Sequence, residues 1–295
     1  MNLNHFLKFT LLSILPFLMI TGCSSDSDVH QNLKNSLTFY ASFDNGLTAD
    51  YSVGDPFMYS SESWASRDEQ TMIHHTTDHL MIHENEGVYG SALWMESGYN
   101  PVYFYQGDQN MTYNRSDWSG TVSFWLRLDP NTTLREGFSD PIQITAQAWN
   151  DGALFVDFTD QIPRIFRYAI IPDRDVWDPE NLNWDDFPIE DRPMIDVNEP
   201  PFSEDEWVHV AFSFKNFNTG MNNGLVDAYL NGSYMGSLDN REMTFTWDEA
   251  PFYIWLGYNY RGYFDELAIF DQYFDADTIS ELYKLENGVR QLIED

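Results

Sequence analysis

The stretch Trp207-Val208-His209-Val210-Ala211-Phe212-Ser213-Phe214 is followed, after a polar interval, by Val226-Asp227-Ala228-Tyr229-Leu230-Asn231-Gly232-Ser233-Tyr234-Met235-Gly236-Ser237-Leu238. Val208, Val210, Phe212 and Phe214 recur at every second position, which places them on one face of an extended strand. Val226, Ala228 and Leu230 repeat the pattern, and Tyr234, Gly236 and Leu238 take it up again beyond Asn231-Gly232. That dipeptide accepts positive φ at both central positions, so the two runs are predicted to close as a hairpin through a type I′ turn.

The same period of two extends outward from this hairpin. Leu37, Phe39, Ala41 and Phe43 alternate with Ser36, Thr38, Tyr40 and Ser42; Val122, Phe124 and Leu126 alternate likewise; Phe264 to Phe270 closes the series. Only Asp275 to Leu285 reads as a helix, with Asp275 able to cap it, Ile279 and Leu282 on one face, and Gly288 just past its end. Many short strands, frequent turns and one short C-terminal helix predict an all-β fold. Its expected form over residues 36–295 is a two-sheet antiparallel jelly-roll sandwich. The chain has no cysteine beyond Cys23, so no disulfide can staple it, and its aromatic content of 17% has to supply the core.

One segment breaks the pattern. Pro172 to Glu206 carries six of the thirteen prolines, Trp177, Trp184 and a heavy excess of Asp and Glu. Proline in a central strand deletes ladder hydrogen bonds, so residues 172–206 are expected to leave the sandwich as an acidic loop insertion. Long ordered loops in compact domains are usually functional.

Four segments together resemble the laminin-G-like, concanavalin A-like lectin/glucanase superfamily. Phe43-Asp44-Asn45-Gly46 resembles the end of its opening strand, and Tyr89-Gly90-Ser91-Ala92-Leu93-Trp94 resembles its Gly-x-Ala-Leu strand. Trp207-Val208-His209-Val210-Ala211 with Tyr229-Leu230-Asn231-Gly232 resembles the central hairpin; Gly262-Tyr263-Phe264-Asp265-Glu266-Leu267-Ala268-Ile269 and the helix after it resemble the close. Their order and spacing cover residues 36–287. The insertion at 172–206 is the departure. This fold hosts lectins, hydrolases, lyases and spacers, so the resemblance alone names no activity.

Laminarinase-type hydrolases on this fold present Glu-x-Asp-x-x-Glu along one strand, and no such run occurs here; Glu204-Asp205-Glu206 is contiguous and ends a loop. The Arg, Gln-x-His and Tyr signatures of jelly-roll alginate lyases and a Gly-x-Ser-x-Gly elbow are also missing. The expectation is a chain that is not an enzyme. His75, His79 and His83 have a spacing that would align zinc ligands on a helix, but His79-Leu80-Met81-Ile82-His83 reads better as a strand with histidines on its polar side.

The resemblance implies a structural Ca²⁺ joining the first and last strands. Its carboxylates would be Asp44 and Asp265, with backbone oxygens near Gly46 and Gly90. Among the tryptophans, Trp125 and Trp207, and with them Trp94 and Trp255, are expected in the core. Trp177 and Trp184 lie in the polar insertion beside Asp175, Asp178, Asn183, Asp185 and Asp186. Rings stack on the apolar faces of sugars while Asp and Asn accept from hydroxyls, so Trp177, Trp184, Asp175, Asp178, Asn183 and Asp185 are the expected carbohydrate-binding residues.

The N-terminus adds an address. Lys8 precedes the apolar run Phe9 to Ile20, which is too short to span a bilayer and fits the core of a signal peptide. Ile20-Thr21-Gly22-Cys23 resembles the lipobox of bacterial lipoproteins, so residues 1–22 are expected to be removed and Cys23 lipidated. Residues 23–35, opening Cys23-Ser24-Ser25-Asp26, then form a polar tether, and the serine after the cysteine resembles the outer-membrane sorting choice. The expected location is the cell envelope, with the lipid as the only membrane contact. A net charge of −32 repels nucleic acid and anionic membranes and attracts divalent cations. The expected function is therefore a surface-anchored, non-catalytic lipoprotein that binds a glycan, a neutral polysaccharide given the acidic surface. A structural or adhesion module that recognises protein is the alternative, and a glycoside hydrolase or polysaccharide lyase with an unrecognised site is the third.

The anchor is checked by fractionation. Cys23→Ser is expected to leave the protein unprocessed or to release it from the membrane fraction, because stable anchoring needs at least two acyl chains. A serine variant of mature size that still sediments with membranes would refute lipidation at Cys23.

Overall fold

The computed structural model describes residues 26–182, 184–247 and 250–294, so Cys23 and the segment before it, and Asn183, lie outside the described residues. After helix α1 (Asp26–Ser36) come β1 (Leu37–Ala41), β2 (Tyr51–Ser52), β3 (Met58–Ser61), β4 (Thr71–Met72), β5 (Leu80–His83), β6 (Ala92–Glu96), β7 (Val102–Gln106), β8 (Trp118–Arg127) and β9 (Ser139–Ala148). Next are β10 (Asp151–Phe158), β11 (Phe166–Ile171), helix α2 (Arg174–Trp177), β12 (Met194–Val197), β13 (Val208–Phe217) and β14 (Gly224–Leu230). The series ends with β15 (Ser233–Arg241), β16 (Tyr253–Tyr258), β17 (Arg261–Phe270) and helix α3 (Ala276–Tyr283).

These strands form two antiparallel sheets. The first runs β15-β14-β13-β8-β17-β1-β2, with β6 beside β17 and β5 beside β6; the second runs β12-β11-β10-β9-β16-β7-β3-β4. Register explains why the alternation in sequence becomes a core. Val210 stands opposite Phe124 and Phe212 opposite Val122, while Ile269 flanks Val122 from the other side. These side chains share one face and pack against Ile142, Ile144, Leu154, Val156, Tyr168 and Ile254 of the second sheet. Trp118 sits at 1% exposure in this layer, edge-on to Phe214 and Trp247 at 4.7 and 5.1 Å.

The predicted hairpin forms where expected, with Asn231 at φ 49° and Gly232 at φ 71° between β14 and β15. Helix α3 starts at Asp275, whose carboxylate accepts from the Thr278 N–H at 3.0 Å. Such a cap contributes about 1 kcal/mol. Ile279 and Leu282 turn inward and, with Phe274, Leu285 and Leu292, cover the outer face of the first sheet over Tyr40, Tyr229 and Phe270. Strand β1 is therefore buried on both faces.

Three expectations change. Residues 26–36, expected within a polar tether, form α1, because Leu33 finds the apolar layer over the first sheet and is fully buried there. Trp125, Trp207 and Trp94, expected in the core, lie outside it, while Trp255 is buried as expected, in a small cluster apart from the main core. Trp125 falls at odd parity to Phe124 and Leu126, so it points outward and stacks on Tyr283 at 5.6 Å. Trp207 and Trp94 are half-buried on the same side of the molecule, and Trp255 lies on the outer face of the second sheet. The insertion at 172–206 is not all loop: β12 pairs with β11 and becomes the edge of the second sheet, where proline-flanked backbone costs no central hydrogen bond.

His209 ties the layers together. Its Nε2 meets Ser123 Oγ at 2.8 Å, its ring lies between Trp125 and Tyr283, and its Nδ1 is buried without a partner. Burial pushes its pKa down from 6.5 to about 3. A base with a depressed folded pKa contributes stability that is present above the unfolded value and is lost as pH falls toward the folded one. Stability should therefore decline between pH 6.5 and about 3, and His209→Gln should flatten that decline in melts across the range. An unchanged slope in the variant would show that His209 does not carry it.

Candidate functional site

Over the outer face of the second sheet lies the four-residue helix α2, through Trp177, and the face is otherwise covered only in part. Two small apolar patches stand there. Val102, Phe104, Tyr253 and Trp255 form one, backed by Tyr59 and Trp64; Ala153, Phe155, Ala169 and Ile171 form the other, covered by Trp177 and Met194. Between them opens a cleft of about 560 Å³. Trp64 and Trp255 stack in one wall with centroids 4.3 Å apart, and Tyr99 meets Tyr258 edge-on at 5.0 Å. The rim holds Tyr99 and Phe138, each 47% exposed, with Trp149 at 43% and Tyr258 at 36%. Large exposed rings are otherwise sparse on this surface, and such a concentration marks a contact site. The rim is braced from below, since buried Asn259 donates to the Phe138 carbonyl at 2.9 Å and to the Tyr99 hydroxyl at 3.2 Å.

The floor is polar and almost closed to solvent. Asp140, Gln143 and Asp157 are 7%, 6% and 2% exposed. Arg167 reaches across from β11, donating from Nε to Asp157 Oδ1 at 2.8 Å and from a terminal nitrogen to Oδ2, while its guanidinium lies 5.1 Å over the Phe138 ring. Pro141 cannot donate to the ladder, and the β9–β10 register shifts between Val156 and Phe158, which opens room for both carboxyls. Burial pushes both acids up from their ordinary range. At Asp140 the neighbouring Asp157 charge adds to the effect, whereas at Asp157 the hydrogen bonds of Arg167 oppose it.

Of the residues singled out in the insertion, Trp184 lines this cleft, edge-on to Trp149 at 5.3 Å and to Trp177 at 5.7 Å, with Arg192 at 4.5 Å over its ring. Trp177 lies on the sheet and donates from Nε1 to the Asn150 carbonyl at 3.1 Å, which pins the loop. Asp178 is turned inward, accepting from the Leu182 N–H at 2.9 Å and facing Arg174 at 3.6 Å. Asp175 and Asp186 are exposed, Asn183 lies outside the described residues, and Asp185 is described only as part of a short 3₁₀ turn. Sequence reasoning missed Asp140, Gln143, Asp157 and Arg167. The available signal was a charge set inside strongly apolar strands, as in Val156-Asp157-Phe158 and Phe166-Arg167-Tyr168.

A family profile described as the concanavalin A-like lectin/glucanases superfamily, of the laminin G type, matches residues 95–280. The chain belongs to this superfamily. Solved structures with the same fold include domain 4 of AbnA, a GH43 extracellular arabinanase from Geobacillus stearothermophilus, in complex with arabinotriose. It has a TM-score of 0.50 and 19% identity, with 84% of this chain and 98% of that one covered. The binding domain of Paraclostridial Mosquitocidal Protein 1 matches with a TM-score of 0.54 and 15% identity over 85% of this chain and 52% of that chain. Botulinum neurotoxin type C, whose cell entry depends on two ganglioside molecules, matches with a TM-score of 0.54 and 13% identity over 86% and 52%. The chain thus spans about half of each toxin chain, and at these identities the likeness is one of fold. No curated protein sequence matches.

The superfamily's calcium position falls at the opposite side of the sandwich. A bulge in β17, with Glu266 at φ 54°, buries both Asp265 and Glu266. Asp265 accepts from the Val88 N–H at 2.8 Å and Asp44 from the Ser91 N–H at 2.6 Å. Gly90, at φ +139°, lies so close that a Cβ would come 2.3 Å from Asp44 Oδ1, whereas Gly46 faces open space. Burial and the Glu266 charge push Asp265 well up, and burial pushes Glu266 up to about 8, with one of its oxygens unpartnered. These carboxyls are under-neutralised, which a divalent ion would relieve. Arg290 already contacts the other Asp44 oxygen and donates to the Tyr89 carbonyl at 3.3 Å. Among the described residues no group of three or more His, Cys, Asp or Glu side chains is placed to hold a metal. Ca²⁺ here would take Asp44 and Asp265, fill its six to eight positions with carbonyls and water, and compete with Arg290.

Millimolar Ca²⁺ is expected to raise the melting temperature, and Arg290→Ala to enlarge that rise by freeing Asp44. A ligand at a hundredfold excess over its Kd stabilises by about 2.7 kcal/mol. Superimposable melts with calcium and with chelator, in parent and variant alike, would remove calcium from this corner.

Proposed function

We propose that this chain is a non-catalytic glycan-binding protein of the cell envelope, carried by a lipid on Cys23, that holds a neutral polysaccharide in the cleft of the second sheet. The observation that carries this reading is the cleft itself: exposed rings at the rim, stacked rings in the wall and a buried polar floor. Aromatic faces match the apolar faces of sugar rings, and a few fixed polar groups beneath them read hydroxyls. The arabinanase domain and the ganglioside-dependent toxin put the same fold to carbohydrate contact.

Two features favour binding over hydrolysis. Glycoside hydrolysis needs one carboxylic acid and one free carboxylate flanking the scissile bond. Here both oxygens of Asp157 are held by Arg167 in a two-point pair, which leaves no free base beside Asp140. The charge of −32 favours an uncharged polymer over a polyanion.

The mature chain should retain at least one polymer from a panel of arabinan, galactan, glucan, xylan and mannan in affinity electrophoresis. Trp184→Ala should weaken that binding by about tenfold, the scale of losing one stacked ring, with little change in melting temperature. Trp177→Ala should behave in the opposite way, losing on the order of 2 kcal/mol of stability because its ring covers the sheet. No retained polymer in the panel, or normal retention by the Trp184 variant, would count against the cleft as a glycan site.

A further inference from the structure

Buried polar groups are normally hydrogen-bonded, and each exception asks for a reason. One such exception lies in the cleft. The indole N–H of Trp255 is buried without an acceptor, and the residue is only 3% exposed. Beside it the side chains of Asp140 and Gln143, at 7% and 6% exposure, hydrogen-bond to no described residue and keep polar atoms open to the cleft. All three line the same cavity, on the neighbouring strands β9 and β16, where Gln143 stands directly opposite Trp255 and Asp140 opposite Tyr258. An unpaired buried donor or acceptor costs roughly 1–3 kcal/mol, a cost that a ligand completing the bonds would remove.

The charge beside them is arranged differently. Arg167 is the cation of the floor, and Asp157 holds it on two nitrogens. Asp196 and Asp140 also lie within electrostatic reach of its guanidinium. Three carboxyl groups therefore surround one guanidinium, and none of its charge is left over for a ligand carboxylate. Asp140 itself is pushed toward its neutral form by burial and by the Asp157 charge, and a neutral carboxyl both donates and accepts.

Resting on the glycan-binding reading, we infer that Asp140, Gln143 and the Trp255 N–H are the hydrogen-bonding centre of the cleft. This centre seats one uncharged sugar residue, and Arg167, locked by Asp157, refuses sugars that carry a carboxylate. Trp255 donates to a ring or hydroxyl oxygen, Gln143 offers a donor and an acceptor, and Asp140 serves either role. The Trp64–Trp255 stack supplies the apolar wall. A uronic or sialic acid residue would instead bring a further carboxylate into a site whose one cation is already neutralised, and like charges in a desolvated site repel strongly.

The test uses the mature chain and paired probes: the 4-linked glucan, galactan and mannan of the panel, whose residues carry a free primary hydroxyl, each beside the same polymer with those hydroxyls oxidised to carboxylates. The neutral form should bind at least about tenfold more tightly than its oxidised partner. Trp255→Phe, which keeps an aromatic ring while removing the N–H together with the five-membered ring, and Gln143→Ala should each weaken neutral binding about tenfold when measured well below the melting temperature of each variant. Asp140→Asn, which keeps an uncharged donor and acceptor, should bind within about threefold of the parent, whereas Asp140→Ala should not. Equal binding of neutral and oxidised probes would overturn the selectivity. Normal neutral binding by both the Trp255→Phe and Gln143→Ala variants would overturn the centre, while the glycan reading would survive through its rim rings. If neither form of any probe, nor any other polymer of the panel, binds the parent chain, the glycan reading falls and this inference falls with it. Should Gln143→Ala fail to fold, Gln143→Glu tests the same position, and neutral binding unchanged by the added charge would equally count against it.

Discussion

Each sheet of a sandwich has two faces, and water must be kept from three of the four for the strands to survive as apolar as they are here. The two inner faces cover each other, and the alternating Val, Ile, Leu and Phe of β8, β13 and β17 pack there against β9, β10, β11 and β16. The outer face of the first sheet is hidden by α1, α3 and the C-terminal turn. That cover makes β1 apolar on both sides, brings Tyr40 to donate to Glu266 at 2.8 Å, and shuts His209 in an environment where it cannot take a proton near neutral pH. The chain ends thus belong to the core although they lie far from it in sequence.

The outer face of the second sheet is treated otherwise. Among the described residues, short segments reach over it from two sides, the four-residue α2 among them. Trp64 comes from one side; Trp177 and Trp184 come from the insertion on the other. The cleft is the gap that remains. Its walls are aromatic because they continue the apolar patches beneath, and its floor is polar because Asp140, Gln143, Asp157 and Arg167 of β9, β10 and β11 line it. The candidate site thus arises from incomplete covering of a sheet, with the insertion deciding how far the covering goes.

Charge follows the same division. The surface as a whole is strongly acidic, yet at two of the places where carboxyls are driven inward an arginine stands beside them. Arg167 meets Asp157 in the cleft, and Arg290 meets Asp44 at the far corner. In both places a further carboxyl lies nearby without a full partner, Asp140 in the first and Glu266 in the second, and burial pushes both upward. In a chain with 15 lysines and arginines against 47 acids, such placements are few.

Local periodicity carried a large part of this architecture. The strand alternation at 122–126, 208–214 and 226–238, the turn at Asn231-Gly232 and the cap at Asp275 depend on neighbours within a few residues, and each formed as the pattern required. The antiparallel jelly roll and the superfamily followed from their order. The cleft was legible only through Trp184. Asp140, Gln143, Asp157, Arg167 and Trp255 come from four strands spread over more than a hundred residues, and each looked like an ordinary member of its strand. Parity within one strand tells which residues share a face, but not which face meets the other sheet, which meets a helix and which is left for solvent. Trp125 was misplaced for that reason, and Leu33 was read as part of a tether because many of its apolar partners lie at the other end of the chain. The sequence by itself determined strands, turns and fold class, since these rest on short-range sterics and a period of two. The site was decided by the tertiary structure, because only the stacking of distant strands and the partial cover over the second sheet bring its residues together.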